Sequence, residues 1–186
     1  MDSIEIIFVK EKMARSMISS LTFKVKDMAE VSSWYMTVLG MNKSNDGDKI
    51  VCQYPGQETK LIFEKYTGND QERGKKTSVY WKIGIGLEDV ELGQQRIMAA
   101  GTSVSTPHQF QEIGYLCHLQ DPASNSLELL QNKFEKNFVK PEPQNGFALG
   151  QPGKIGQITI RSSNIEKTLL LYQTVLGIVL FYFLNN

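Results

Sequence analysis

The chain has 186 residues, and its 20 basic and 20 acidic side chains leave a formal net charge of zero. That length holds one full domain plus part of another, and the balanced charge, with no long basic run, argues against nucleic-acid binding by bulk electrostatics. Cys52 and Cys117 are far apart and form no CxxC pair, which points to free thiols in a cytoplasmic protein.

The N-terminal run MDSIEIIFVKEK is acidic at its start and too short in its apolar part for a signal peptide. Ile4–Val9 reads as a short extra strand, followed by a polar connector to Ser20. Leu21, Phe23 and Val25 then alternate with Thr22, Lys24 and Lys26, the period of a strand with one buried face. Asp27 is placed as an N-cap, with Glu30 three residues on. Val31, Trp34, Tyr35, Val38 and Leu39 make one apolar face of a helix near Met28–Leu39, and Gly40 is placed to stop it in the left-handed conformation.

Lys49–Tyr54 and Lys60–Lys65 read as strands separated by a Pro55-Gly56 turn. Thr67–Lys76 is a polar linker. From Tyr80 the strand–cap–helix unit returns: Ile83, Ile85 and Leu87 alternate, Glu88/Asp89 cap, and a helix near Asp89–Ala100 ends at Gly101. Thr102–Ser105 and Tyr115–Gln120 read as strands, Asp121–Asn125 as a turn, and Ser126–Leu130 as a closing strand. His108, after Pro107, falls in a loop. Residues 132–153, with three prolines, form a linker. Ile158–Ile178 then repeats Leu21–Met41 without a gap: Tyr172 matches Tyr35, Thr174–Gly177 matches Thr37–Gly40, and Asn164 takes the place of Asp27. A repeat of this kind is a supersecondary unit that buries its face against its siblings. The apolar run Val175–Leu184 is too short to span a membrane.

The sequence WYMTVLGM at the first helix, followed further on by LQDPASNSLELL, resembles the vicinal oxygen chelate superfamily, which includes glyoxalase I, bleomycin-resistance proteins and extradiol dioxygenases. The resemblance implies an α+β fold of paired βαβββ modules whose curled mixed sheet forms a cup. It covers residues 20–131 as one complete glyoxalase-like domain, after a 1–19 extension and before the 132–153 linker. It also makes 154–186 the start of a second, incomplete domain; either this segment docks its strands and helix on the first domain or on another copy of the chain, or the chain is a shortened form of a two-domain protein. Members of the superfamily hold a divalent metal in the cup. The ligand positions carry over to Ser20, to Ile62 (or Glu64 in a shifted register), to Lys82 (or Tyr80) and to Glu128, and Gln157 takes the place of Ser20 in the last repeat.

Alternation leaves Ser20, Thr22, Lys24, Lys82 and Glu128 on the face away from the core; His118 and Glu64 join them in the proposed cup. Glu128 and His118 are the candidate catalytic acid and base. Lys82, Lys24, Ser20, Thr22 and Glu64 are the candidate ligand contacts, and Glu128 is the candidate metal ligand. An ammonium at a ligand position repels a cation, so no cofactor is expected. The alternative is a divalent Zn, Ni, Fe or Mn on His118, Glu64 and Glu128. Lys82 either holds a ligand anion or pairs with Glu128. The function so read is binding of a small anionic organic molecule. An active lyase, isomerase or epimerase is the second reading, and a dimerisation module the third. The partners are a small-molecule ligand and a second copy of the chain, with no nucleic acid and no membrane.

Overall fold

The computed structural model describes residues 3–7, 18–68, 80–110, 114–132 and 153–175. Its elements run β1 (Ser3–Ile7), β2 (Ser20–Val25), α1 (Met28–Thr37), β3 (Asn42–Asp46), β4 (Lys49–Gln53), β5 (Lys60–Lys65), β6 (Tyr80–Gly86) and α2 (Val90–Ala99). Then come β7 (His108–Phe110), β8 (Gly114–Gln120), β9 (Ser126–Asn132), β10 (Lys154–Arg161) and α3 (Ile165–Leu170), which continues as a π-helical turn, Leu171–Val175. No helix among the described residues is long and apolar enough to cross a membrane.

Two mixed sheets result. One has the order β2-β5-β4-β3, the other β1-β10-β6-β9-β8-β7. In each, the strand that precedes the helix runs parallel to the last strand of its module: β2 with β5, and β6 with β9. This is the βαβββ module written twice. The caps act as the sequence expects. Asp27, Asp89 and Asn164 each accept from the backbone N–H three residues on, at 2.8, 2.9 and 2.9 Å, which satisfies a donor the first helical turn leaves open. Gly40 and Gly101 follow α1 and α2 with φ of 77° and 86°, a conformation that costs glycine little.

The apolar faces of both sheets and both helices meet in one core. Phe63, Leu61 and Val25 from the first sheet join Ile83, Ile85, Leu127 and Leu129 from the second, with Tyr35 from α1, Leu39 from the turn after it and Ile97 from α2. Helix α1 also makes polar contacts with the second module: Tyr35 Oη donates to Asp121 Oδ2 at 3.2 Å and Trp34 Nε1 to Thr102 Oγ1 at 3.0 Å. Trp34 and Tyr35 are thus packing residues, as their helical spacing implies.

Three local expectations change, and one strand was not foreseen. Asn42–Asp46 is a strand although every one of its residues is exposed; its register comes from the Gly47 turn, which pairs Asp46 with Lys49. Thr102–Ser105 makes only a single bridge, Val104 to Leu119. His108 begins a short strand rather than lying in a loop. The two modules do not share one curled sheet: β2 and β6 lie in different sheets, because β10 occupies the edge of β6, antiparallel to it, and β1 pairs outside β10. Residues 69–79, 133–152 and 176–186 lie outside the described residues, and with them most of both linkers, Gly177 and the Ile178–Leu184 run.

The first module holds the start of β10 in place. Gly56, with φ 73°, turns the chain so that Gln57 N–H donates to Tyr54 C=O at 3.2 Å. The Gln57 amide then pairs like a strand residue: its Nε2 donates to Gly153 C=O at 3.1 Å, and its Oε1 accepts from Ile155 N–H at 3.2 Å. The Tyr54 ring lies against Gly153, where an added Cβ would meet the phenol oxygen and, at 2.7 Å, Ile85 Cγ2. We expect Gly153→Ala to cost about 1–3 kcal/mol by overpacking, read as a lower urea midpoint. An unchanged midpoint would show that Tyr54 yields freely.

Candidate functional site

Directly paired residues of neighbouring strands send their side chains to the same face. Across the six-stranded sheet this builds two polar rows. One is Gln157, Gly84, Glu128 and His118; the next is Thr159, Lys82, Ser126 and Gln120. The opposite face of the same strands carries Ile83, Ile85, Leu127 and Leu129, all in the core. Lys82, Glu128, Gln157 and Thr159 are nevertheless buried, so β6 and its neighbours are covered on both faces here.

Three of the candidate residues meet in one cluster. Lys82 Nζ donates to Glu128 Oε2. His118 Nε2 lies 2.8 Å from the same oxygen. The Glu128 side chain is 1% exposed and that of Lys82 7%, whereas the His118 side chain is 45% exposed and forms the open end. Burial pushes the Glu128 carboxyl up, but the His118 hydrogen bond and the Lys82 ammonium outweigh it and hold the group below its ordinary 4.5. His108 stands near the open end, its ring centroid 6.1 Å from that of His118.

The other candidates lie elsewhere. Ser20, Thr22 and Lys24 are exposed on β2, in the four-stranded sheet. Ile62 is half-buried on β5, and Glu64 on the same strand pairs with Lys49 at 2.6 Å. Their alternation is as read from the sequence, but the strands that carry them do not adjoin β6. Thr159 is a member of the buried rows that sequence reasoning missed; only the register of β10 on β6 reveals it. The thiols contribute no nucleophile, since burial pushes Cys52 up to about 11 and Cys117 up to about 12.

The cluster does not suit a transition metal. Such a site needs about three donors and an open position. Here a single Glu128 oxygen already receives an ammonium and an imidazole, and the ammonium belongs to a residue at one of the ligand positions. Among the described residues no group of three or more His, Cys, Asp or Glu side chains could hold a metal ion.

Two outcomes follow from the buried charges. Lys82→Ala leaves Glu128 buried with one partner fewer, and we expect a loss of about 3–5 kcal/mol in chemical denaturation; adding Glu128→Leu to Lys82→Met should recover most of it. A Lys82→Ala midpoint equal to wild type would mean that the pair is not formed. The depressed Glu128 carboxyl contributes stability that is complete above 4.5 and lost as pH falls through its lower folded value. Glu128→Gln should therefore flatten the acid limb of the stability–pH profile.

Comparison with known proteins supplies the relationship. No family model matches the chain. An uncharacterized protein of Pseudomonas aeruginosa, PA2024, is 32% identical over 120 residues, which cover 60% of this chain and 85% of that protein. Among solved structures, TnmS3, an antibiotic binding protein from Streptomyces sp. CB03234, matches with a TM-score of 0.53 at 17% identity, over 64% of this chain and 98% of its own. A lactoylglutathione lyase from Agrobacterium tumefaciens matches with 0.51 at 17% identity, over 66% and 98%. A member of the glyoxalase/bleomycin resistance protein/dioxygenase superfamily from Sphaerobacter thermophilus matches with 0.53 at 19% identity, over 63% and 98%. The chain thus belongs to one family with the Pseudomonas protein, and its fold is that of the glyoxalase/bleomycin resistance protein/dioxygenase superfamily.

Proposed function

We propose that this glyoxalase-like protein binds a small organic carboxylate at the polar face of the six-stranded sheet, without a metal. The observation that carries this reading is the charge arrangement around Glu128. Two nitrogen groups, Lys82 Nζ and His118 Nε2, converge on one carboxylate oxygen. The Lys82 ammonium repels a cation brought to the cluster, and the exposed His118 imidazole offers a ligand carboxylate a hydrogen bond. The imidazole is the accessible member, so the ligand enters from its side. TnmS3 is described as an antibiotic binding protein, which is in keeping with a binding role on this fold.

The 2.8 Å contact between His118 and Glu128 favours a second reading, in which the two act as an acid–base pair on a bound substrate.

Thermal unfolding in the presence of phenylacetate tests the first reading. The midpoint should rise with ligand concentration in the wild-type chain and stay flat in His118→Ala, with no change on adding a chelator. No rise with phenylacetate or with any other carboxylate screened would overturn the reading. So would about one Zn, Ni, Fe or Mn per chain that is lost on Glu128→Ala.

A further inference from the structure

The four-stranded sheet turns one face to the core and the other outward, and strand register sets the outward side chains in rows. The middle row is Thr22, Ile62, Val51 and Ser44. Its two ends are exposed, while at its centre Ile62 is half-buried and Val51 is 9% exposed. Neither belongs to the core on the other face, which takes Leu61, Phe63 and Cys52 from the same strands. The row beside it is charged throughout, with alternating signs: Lys24, Glu64, Lys49 and Asp46. An apolar centre within a polar and charged surround is the layout of a protein–protein interface.

The alternation points to the partner. A two-fold axis parallel to the strands and between β4 and β5 lays this face on its own copy with every row reversed. Strand β5 then lies over β4 of the second copy, and β2 over β3. Ile62 meets Val51 of the second copy, Lys24 meets its Asp46 and Glu64 meets its Lys49, and each contact occurs twice, as a two-fold interface requires. No like charges are opposed, since Lys60, the one charge of the remaining row, faces Gln53. Sheets packed face to face lie about 10 Å apart with their strands within about 30° of each other, a gap that a lysine and a carboxylate span together. A partner surface of a single sign would meet repulsion at two of the four charged positions.

We propose that the outward face of the four-stranded sheet is a dimer interface between two copies of this chain, packed about that axis. The contact is smaller than a standard interface of about 20–30 residues a side, so the dimer is reversible, forms at high concentration and weakens as salt is raised. It uses a different sheet from the carboxylate site and does not rest on that reading.

Sedimentation velocity on the full chain tests it. The wild type should show a monomer–dimer equilibrium that shifts towards monomer with salt. Lys24→Asp and Asp46→Lys each set like charges against each other at two contacts and should weaken the dimer about tenfold. The double variant Lys24→Asp/Asp46→Lys exchanges the charges and should recover it. Within one chain the two residues stand on the outer strands, three strand spacings of about 4.8 Å apart, where effects on folding add; recovery therefore reports contact between chains. Lys24→Asp/Glu91→Lys also restores the net charge, but through an exposed residue of α2, and should stay as weak as Lys24→Asp. A wild-type chain that remains monomeric at about 1 mM in low salt would overturn the proposal. A dimer that either single variant leaves unchanged would place the contact on another surface and overturn it too. So would a double variant no better than the singles while its circular dichroism matches the wild type, or a Glu91 control that recovers as fully.

Discussion

The described part of the second sheet depends on β6 having a partner along each edge. From Lys82 to Gly86 every residue of this strand is buried, and buried backbone N–H and C=O groups are expensive to leave without partners. The parallel strand β9 satisfies one edge and the antiparallel strand β10 the other. A chain with β6 in its interior must therefore bring a strand from far along its sequence. The Gln57 amide and the Tyr54 ring, both from the first module, hold the start of that strand in position.

The same double burial sets the electrostatics. A sheet with one wet face can carry charges singly, as β2 does with Ser20, Thr22 and Lys24 exposed. The polar face of β6 and β9 has no such freedom. Lys82 and Glu128 are both out of solvent, so each needs the other, and His118 completes the arrangement from the open end. The two modules share a fold and a sequence pattern but differ in this respect. The first keeps its charges on the surface, where Glu64 pairs with Lys49; the second draws them inside.

Much of this was legible in the sequence, because local rules govern it. The alternation in Leu21–Val25 and Ile83–Leu87 fixed which residues face the core. Asp27, Asp89 and Asn164 marked the helix starts, and Gly40 and Gly101 the stops of α1 and α2. The pairing of Lys82 with Glu128 was one of the two roles open to Lys82, and the parallel register of β6 on β9 places the two together. What stayed hidden was nonlocal or carried no pattern. Asn42–Asp46 has no apolar alternation to read, since both its faces are wet and its pairing comes from the turn beside it. That β10 rather than β2 lies beside β6 is a choice between two strands of like pattern. The rival edges are the same in pattern, and tertiary contacts at Gln57 and Gly153 distinguish them.

The position of β10 also imposes an order on folding. Among the described residues β1 pairs with β10 alone, with Ser3 opposite Arg161 and Ile7 opposite Gln157. On a ribosome β1 is made before either βαβββ module, yet its partner emerges only after both have been synthesised. The first module pairs its own strands locally and can collapse early. The six-stranded sheet must wait, and closing it spans nearly the whole of the chain, so its last step is slow by topology.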